Sequence, residues 1–185
     1  MHRTERRGGC ISSILGWILY IIVIIGLTYL IVTYVGQRTR VSGSSMETTL
    51  SDGDNLIVDK ISYRFRDPER YDIIVFPYQH EENTYYIKRI IGLPGETIQI
   101  IDGFVYINDE YLETDIYGNE IMEQANIAGQ PIHLGEDEYF VLGDNRNHSS
   151  DSRDPSVGVL TREDLIGRAW VRIYPFSEMG VIRHE

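Results

Sequence analysis

The chain has 185 residues, a formal net charge of −11 and one cysteine, Cys10. Its acidic balance argues against nucleic-acid phosphate and anionic lipid as direct partners. A single cysteine excludes an internal disulfide and a cysteine-rich zinc site. The length leaves room for one compact domain after an apolar N-terminal segment.

The first predicted element is this apolar segment, residues 11–35, which contains no charged residue. As a helix it would be about 37 Å long, enough to cross a bilayer with some tilt. We therefore predict a transmembrane anchor helix over residues 11–36. A cleavable secretory signal is the alternative, but it needs a shorter apolar core and a small-x-small exit. This segment instead ends in Thr-Tyr-Val-Gly-Gln-Arg.

Basic residues flank the apolar segment unequally, since three arginines precede it and two follow it: Arg3, Arg6, Arg7, Arg38 and Arg40. Such a bias favours a cytoplasmic N-terminus. The predicted organisation is a cytoplasmic tail over residues 1–10, the anchor, and an extracytoplasmic catalytic domain over residues 37–185. The protein would then cross the cell membrane once and contact the lipid bilayer through residues 11–36.

Seven short segments beyond the anchor are rich in β-branched and aromatic residues and predict strands: residues 55–60, 72–76, 85–91, 97–101, 104–107, 139–142 and 170–174. Asp102 and Gly103 separate two of them and are typical of a type I′ hairpin turn. Helical pattern is confined to residues 161–166, where Thr161 and Asp164 suit a capping box. Residues 113–136 are predicted to form a long polar loop. Because no strand alternates with a long amphipathic helix, the domain is predicted to be mostly β and antiparallel.

A candidate nucleophile, Ser45, follows the apolar segment within ten residues. A serine hydroxyl is a weak nucleophile unless a base removes its proton. The histidines lie in polar turns or near the chain ends, so a Ser-His-Asp triad is disfavoured: His2, His80, His133, His148 and His184. Metal-ligand spacing such as His-x-x-x-His is also absent from the sequence.

Lysine is the other candidate base, and Lys88 lies within the apolar strand predicted over residues 85–91. A lysine acts as a base only where burial disfavours its charge and lowers its pKa. Strand alternation places Lys88 and Arg89 on opposite faces, so at least one of them points toward a covered face. The alternative is that both are a solvated pair beside a core strand.

A polar segment over residues 143–153 is the third candidate element, and it follows a predicted strand at a glycine turn. Its short hydroxyl and carboxylate side chains can bond the backbone and shape a rigid loop. Asp151 and Arg153 are predicted to form an ion pair, and Ser149 could orient a neutral lysine amine. The alternative is an ordinary polar surface turn.

The order of three motifs resembles that of type I signal peptidase. The motifs are Ser-Met-Glu-Thr-Thr-Leu at residues 45–50, Lys-Arg-Ile-Ile-Gly-Leu-Pro-Gly-Glu at 88–96, and Gly-Asp-Asn-Arg at 143–146 with Asp-Ser-Arg at 151–153. The resemblance implies a membrane-anchored serine endopeptidase that removes signal peptides from exported preproteins. It also implies the all-β fold of these enzymes, whose catalytic core is shared with self-cleaving repressors.

The resemblance implies a role for individual residues as well. Ser45 would attack the peptide bond, Lys88 would be the general base, and the backbone N–H of Ser45 would help to hold the oxyanion. Ser149 would orient the lysine amine. Three further residues would hold the site together: Asp144, Asp151 and Arg153. No metal and no organic cofactor is implied.

Two positions depart from the family pattern. Thr48 replaces the proline of the usual Ser-Met-x-Pro-Thr-Leu, and threonine restricts the backbone less than proline does. Gly43 stands where some members have a serine whose hydroxyl holds the oxyanion, so backbone N–H groups would serve here. Ser44 is an alternative nucleophile by adjacency, but no methionine follows it.

Other functions remain as alternatives. A self-cleaving repressor would need an N-terminal DNA-binding domain where this chain has its apolar segment. A catalytically impaired or specialised relative, which binds or processes a narrow set of exported substrates, is supported by Thr48 alone. A membrane-tethered β scaffold without an active site would leave Lys88 charged and exposed.

Overall fold

The structure, a computed structural model, describes residues 8–34, 36–81, 84–118 and 120–184. One helix, α1 (Gly8–Tyr34), is followed by twelve strands: β1 (Gly36–Arg40), β2 (Asn55–Asp59), β3 (Ile73–Pro77), β4 (Tyr85–Gly92), β5 (Thr97–Ile101), β6 (Phe104–Ile107), β7 (Glu110–Tyr111), β8 (Ile132–His133), β9 (Glu138–Leu142), β10 (Leu160–Thr161), β11 (Gly167–Tyr174) and β12 (Gly180–Val181). Within the described ranges, no helix combines the length and the hydropathy needed to cross a membrane. The predicted cytoplasmic tail, with its three arginines, lies mostly outside the described residues.

The strands form two antiparallel sheets. The larger sheet has the order β1-β2-β11-β3-β4-β9-β10, with β12 paired to β11, and the smaller has the order β7-β6-β5-β8. Every paired neighbour in both sheets runs antiparallel. The prediction of a mostly β, antiparallel domain is therefore confirmed.

The middle of the larger sheet is buried on both faces. Ile73 and Val75 of β3 pack with Met46 and Leu50 on one face. The alternate residues of β3, Ile74 and Phe76, belong to a second apolar cluster on the other face. A strand covered on both sides is a continuous apolar run, which is why the sequence pattern there is not alternating. Strand β4 is paired between β3 and β9 and is buried from Ile87 to its end, so its register fixes the position of the side chains there.

Local sequence signals account for the smaller sheet. Asp102 and Gly103 both have positive φ and join β5 to β6, which confirms the predicted hairpin. The predicted loop over residues 113–136 is only partly a loop, because it contains a 3₁₀ turn (Asn126–Gly129) and strand β8, which pairs with β5. Two-residue strands such as β8 carry no detectable pattern, so the sequence could not indicate them.

The predicted helix over residues 161–166 is reduced to a 3₁₀ turn, Arg162–Asp164. The Asp164 carboxylate accepts hydrogen bonds from the backbone N–H and the hydroxyl of Thr161. Thr161 itself pairs with β9 as part of β10, and β11 begins at Gly167. The capping residues are therefore correct, but the flanking strands leave no room for a longer helix.

Candidate active site

Ser45 lies at the start of a tight turn that follows β1. Within this turn the backbone N–H of Glu47 donates to the carbonyl oxygen of Ser44, and the N–H groups of Thr49 and Leu50 both donate to that of Met46. The Met46 side chain is buried and anchors the turn in the apolar cluster below it. The turn thus forms with threonine, rather than proline, at position 48.

Strand β4 brings Lys88 to this turn. The Lys88 amine nitrogen lies 2.8 Å from Ser45 Oγ and 3.0 Å from the carbonyl oxygen of Ile87. The lysine is only 3% exposed, and Arg89 is 0% exposed. The alternative of a solvated Lys88–Arg89 pair is therefore wrong. Because β4 is held between β3 and β9, the position of the amine follows from the strand register.

Burial lowers the pKa of Lys88 to about 8, from its ordinary value of 10.5. Removing an ammonium from water penalises its charged form, and this outweighs the opposing attraction of Asp151 and Asp144. A substantial fraction of the amine is then neutral at mildly alkaline pH. A neutral amine has a lone pair, which can accept the hydroxyl proton of Ser45 across the 2.8 Å contact.

Arg89 forms a fully buried ion pair with Asp144 on the other face of β4. Its Nε and Nη2 donate to the two carboxylate oxygens at 2.8 and 2.7 Å, and both side chains are 0% exposed. The hydroxyl of Thr49 donates to Asp144 Oδ2 at 2.5 Å. Arg89 also stacks on the ring of Tyr117, with its guanidinium carbon 3.7 Å from the ring centroid. The ion pair thus ties β4 to the serine turn and to the loop after β9.

Asp151 and Arg153 form the predicted ion pair. Arg153 Nε lies 2.8 Å from Asp151 Oδ1, and its Nη2 lies 2.9 Å from Oδ2. The same carboxylate accepts the backbone N–H of Gly143 at 3.1 Å. Both side chains are buried. The pair therefore fixes the start of the polar loop over residues 143–153, and the ordinary surface turn is excluded for this segment.

Ser149 lies close to Gly143 and Ser45, but its hydroxyl does not hydrogen-bond to the Lys88 amine. Its Oγ is buried and has no hydrogen-bond partner among the described residues. A Cβ at Gly143 would collide with this oxygen and with the Ser45 carbonyl oxygen. Ser149, Gly143 and Ser45 are thus in close contact, and only glycine fits between them.

His184 and His133 have no part in this arrangement. His184, which the sequence places near the chain end, is buried and accepts the backbone N–H of Ile73 at 2.9 Å through Nδ1. His133 Nδ1 contacts the hydroxyl of Thr97 in the smaller sheet. Neither imidazole contacts Ser45. Sequence reasoning missed the structural role of His184 because its partner is a backbone amide far away in the chain.

Two contributors to the site were not predicted from the sequence. For Arg89 the sequence predicts burial but no role in the site, and Thr49 enters only as part of the first motif. The signal for Thr49 lay in that motif, since its hydroxyl is the group that reaches Asp144. The partner of Arg89 could not be identified, because Asp144 lies 55 residues further along the chain.

The chain is similar in sequence to known proteins. The profile of the family described as "Signal peptidase, peptidase S26" matches residues 14–174. The chain is 41% identical over 158 residues to a probable signal peptidase I-2 from Synechocystis sp., covering 83% of this chain and 70% of that protein. It is 34% identical over 175 residues to a signal peptidase I from Bacillus licheniformis, covering 91% and 92%. A crystal structure of a signal peptidase I from Enterococcus faecalis has 34% identity and a TM-score of 0.46, and covers 56% of this chain and 97% of that one.

The matched profile and the named relatives define the protein as a peptidase of the serine class. More specifically, the chain belongs to the signal peptidase family, peptidase S26. The resemblance carried by the three motifs is thereby confirmed.

Proposed function

We propose that this enzyme removes N-terminal signal peptides from exported preproteins, with Ser45 as nucleophile and Lys88 as general base. One observation carries the assignment of the dyad: the buried Lys88 amine lies 2.8 Å from Ser45 Oγ, and burial lowers its pKa to about 8. The nearby carboxylates of Asp144 and Asp151 are each bound to an arginine. The lysine charge therefore lacks the direct carboxylate contact that would hold it protonated.

In the proposed reaction, neutral Lys88 accepts the hydroxyl proton as Ser45 Oγ attacks the carbonyl carbon of the scissile peptide bond. Backbone N–H groups, including that of Ser45, stabilise the oxyanion, an effect worth about 3–4 kcal/mol for one donor. The Lys88 ammonium then protonates the leaving amine as the C–N bond breaks. In the second half, Lys88 takes a proton from water as the water oxygen attacks the ester carbonyl carbon. The Lys88 ammonium then returns this proton to Ser45 Oγ as the ester C–O bond breaks, which releases the carboxylic acid product and restores the Ser45 hydroxyl.

The polar loop has a supporting role in this proposal. Asp144 holds the β4 strand to the serine turn through Arg89, and the Asp151–Arg153 pair fixes Gly143. We assign to Ser149 the task of accepting an N–H of the neutral lysine amine. The buried Oγ, which has no partner in the described parts of the chain, supports this role because such a hydroxyl gains from a new hydrogen bond.

The membrane arrangement is also a proposal. Residues 11–36 would anchor the protein, with residues 1–10 cytoplasmic and residues 37–185 outside, so that cleavage occurs at the membrane surface. The uncharged sequence of residues 11–35 supports it. Alkaline extraction of cell membranes tests the anchor: the full chain should stay in the pellet, and its release into the supernatant would contradict the proposal.

Cleavage of a purified preprotein in detergent tests the dyad. Ser45→Ala and Lys88→Ala should each reduce cleavage by at least about 10³-fold, because each removes an obligatory partner in proton transfer. Lys60→Ala is the matched control for the loss of a lysine, and it should cleave at the wild-type rate. Ser44→Ala should also remain active, which distinguishes Ser45 from the neighbouring alternative nucleophile.

The pH dependence gives a second reading of the same dyad. The wild-type kcat should rise as the pH approaches about 8, since the lysine must be neutral to act as a base. A flat profile between pH 6 and 9 would rule out a lysine base, and an inactive wild type would favour the catalytically impaired relative.

A further inference from the structure

A polar segment outside the three motifs forms an ion pair with the active-site loop. Asp115 lies in the region between β7 and β8, and its two carboxylate oxygens accept hydrogen bonds from Nη1 and Nη2 of Arg146, both at 2.7 Å. The two side chains are 7% and 3% exposed. A bidentate pair that is removed from solvent has a defined geometry, unlike a mobile surface pair.

A further donor of Arg146 holds the active-site loop to itself. Its Nε donates to the carbonyl oxygen of Gly143 at 3.0 Å. The carbonyl oxygen of Arg146 in turn accepts from Nη2 of Arg153 at 2.5 Å. Gly118 lies against the guanidinium, and a Cβ there would approach within 3.0 Å of its central carbon. The guanidinium of Arg146 is thus enclosed by Asp115, Gly118 and the loop.

The preceding residue, Asn145, connects this loop to the serine turn. Its backbone N–H donates to the carbonyl oxygen of Ser45 at 3.1 Å. Its side-chain amide donates to the carbonyl oxygen of Ser44, also at 3.1 Å. The two carbonyls on either side of the nucleophile's own backbone N–H are therefore both held by Asn145. The position of Asn145 depends on its neighbour Arg146.

We infer that Asp115 is a positioning residue for Ser45 and acts through Arg146 and Asn145. The inference rests on the proposed function and adds a residue that lies outside the three motifs. Asp115 contacts neither the serine nor the lysine, so its effect is confined to the position of the serine turn relative to the amine. Displacing a reacting group by about 1 Å can reduce a rate by up to about 10²-fold.

The test is Asp115→Asn, which keeps the size of the side chain but removes its charge and one of its two acceptors. We expect kcat for preprotein cleavage to fall about 10- to 100-fold and KM to change less than about 2-fold. The kcat of this variant should rise with pH over the same range as that of the wild type, because the burial of Lys88 on β4 is unchanged. Asp115→Glu, which retains the carboxylate, should recover part of the rate.

The matched control is Glu120→Gln. Glu120 is in the same polar segment and accepts an exposed hydrogen bond from Asn147 at 3.0 Å, so this variant also removes a carboxylate charge that contacts the active-site loop. Its kcat should stay within about 2-fold of wild type. The loss in an Asn145→Ala variant and that in Asp115→Asn should not multiply when the two changes are combined, because both act on the same turn.

Thermal unfolding of each variant separates positioning from folding. Rates are measured well below the unfolding midpoint and divided by the folded fraction. If Asp115→Asn lowers only the midpoint and keeps the wild-type kcat, the inference is overturned while the proposed function stands. If the wild type itself does not cleave a preprotein, the proposed function falls and the inference with it.

Discussion

The two faces of strand β4 place two neighbouring cations in different surroundings. On one face Lys88 contacts a hydroxyl and a backbone carbonyl, and burial lowers its pKa to about 8. On the other face Arg89 meets a carboxylate through two hydrogen bonds. Both residues are almost completely buried. What differs is the partner: Arg89 has a carboxylate partner, whereas Lys88 has none in direct contact.

This difference would allow one strand to serve both the proposed chemistry and the support of the site. A guanidinium stays protonated at any accessible pH, so its burial requires a partner such as Asp144, and the pair becomes a fixed connection. An amine can lose its proton instead, and it then becomes a base. If Lys88 faced the carboxylate and Arg89 faced the hydroxyl, both the amine base and the fixed connection would be lost. The following changes test this contrast, from the largest expected effect to the smallest.

The first prediction concerns the paired face of β4, where Arg89 contacts Asp144. Arg89→Met should destabilise the domain by about 3–5 kcal/mol, because it leaves the Asp144 carboxylate buried without its cation. Urea unfolding followed by tryptophan fluorescence measures this. The double variant with Asp144→Asn should be less destabilised than Arg89→Met alone, since no buried charge remains. A loss below about 1 kcal/mol in the single variant would show that Asp144 is not held as a charged group.

The second prediction concerns the other face of β4, where Lys88 has no carboxylate in direct contact. Lys88→Met should abolish cleavage and yet stabilise the folded domain at pH 7 by about 2–3 kcal/mol, because it removes a buried ammonium. The folded-state pKa of about 8 lies below the ordinary 10.5, so the unfolded chain binds the extra proton between these values. The wild type should therefore gain stability as the pH rises from about 8 to 10.5. The difference between the two proteins should shrink over this window.

Unfolding curves for both proteins at pH 7, 9 and 10 measure this convergence. Lys60→Met is the matched control, and its stability relative to wild type should not change in this way. A gap that widens with pH would contradict a lysine whose charged form is penalised in the folded state.

The smallest expected effect concerns the hydrogen bond that connects the serine turn to Asp144. Thr49→Val removes the hydroxyl that donates to Asp144 and should destabilise the domain by about 1–2 kcal/mol. Thr48→Val changes the exposed neighbouring threonine and should stay within about 0.5 kcal/mol of wild type. Equal unfolding midpoints in urea for the two variants would mean that the Thr49 hydroxyl contributes nothing to the paired face.

The sequence was sufficient for the parts of the fold that have a local pattern. The longer central strands, the Asp102–Gly103 turn and the capping residues Thr161 and Asp164 lie where the pattern predicts them. Strand β1 was missed because its residues are mostly polar and only its pairing with β2 makes it a strand. The two-residue strands were missed for a similar reason, since a pairing partner rather than a propensity defines them.

The candidate site was predictable in its residues but only in part in its contacts. Motif order indicated Ser45, Lys88, Asp144 and the Asp151–Arg153 pair, and the structure brings all of them together. The bond expected from Ser149 to the lysine is not formed. The sequence does not predict the Arg146–Asp115 pair, because nothing in it distinguishes an aspartate 31 residues away from a solvent-exposed acidic residue of the same loop.

The tight packing around Gly143 limits how a small molecule can bind beside Ser45. The Ser149 hydroxyl and the Ser45 carbonyl oxygen fill the space that a side chain at Gly143 would need. An inhibitor cannot extend into that space. Beside the lysine, in contrast, the centroid of the partly buried Tyr86 ring lies 5.0 Å from the Lys88 nitrogen. A compound that stacks on this ring and presents an electrophile to Ser45 would use both side chains.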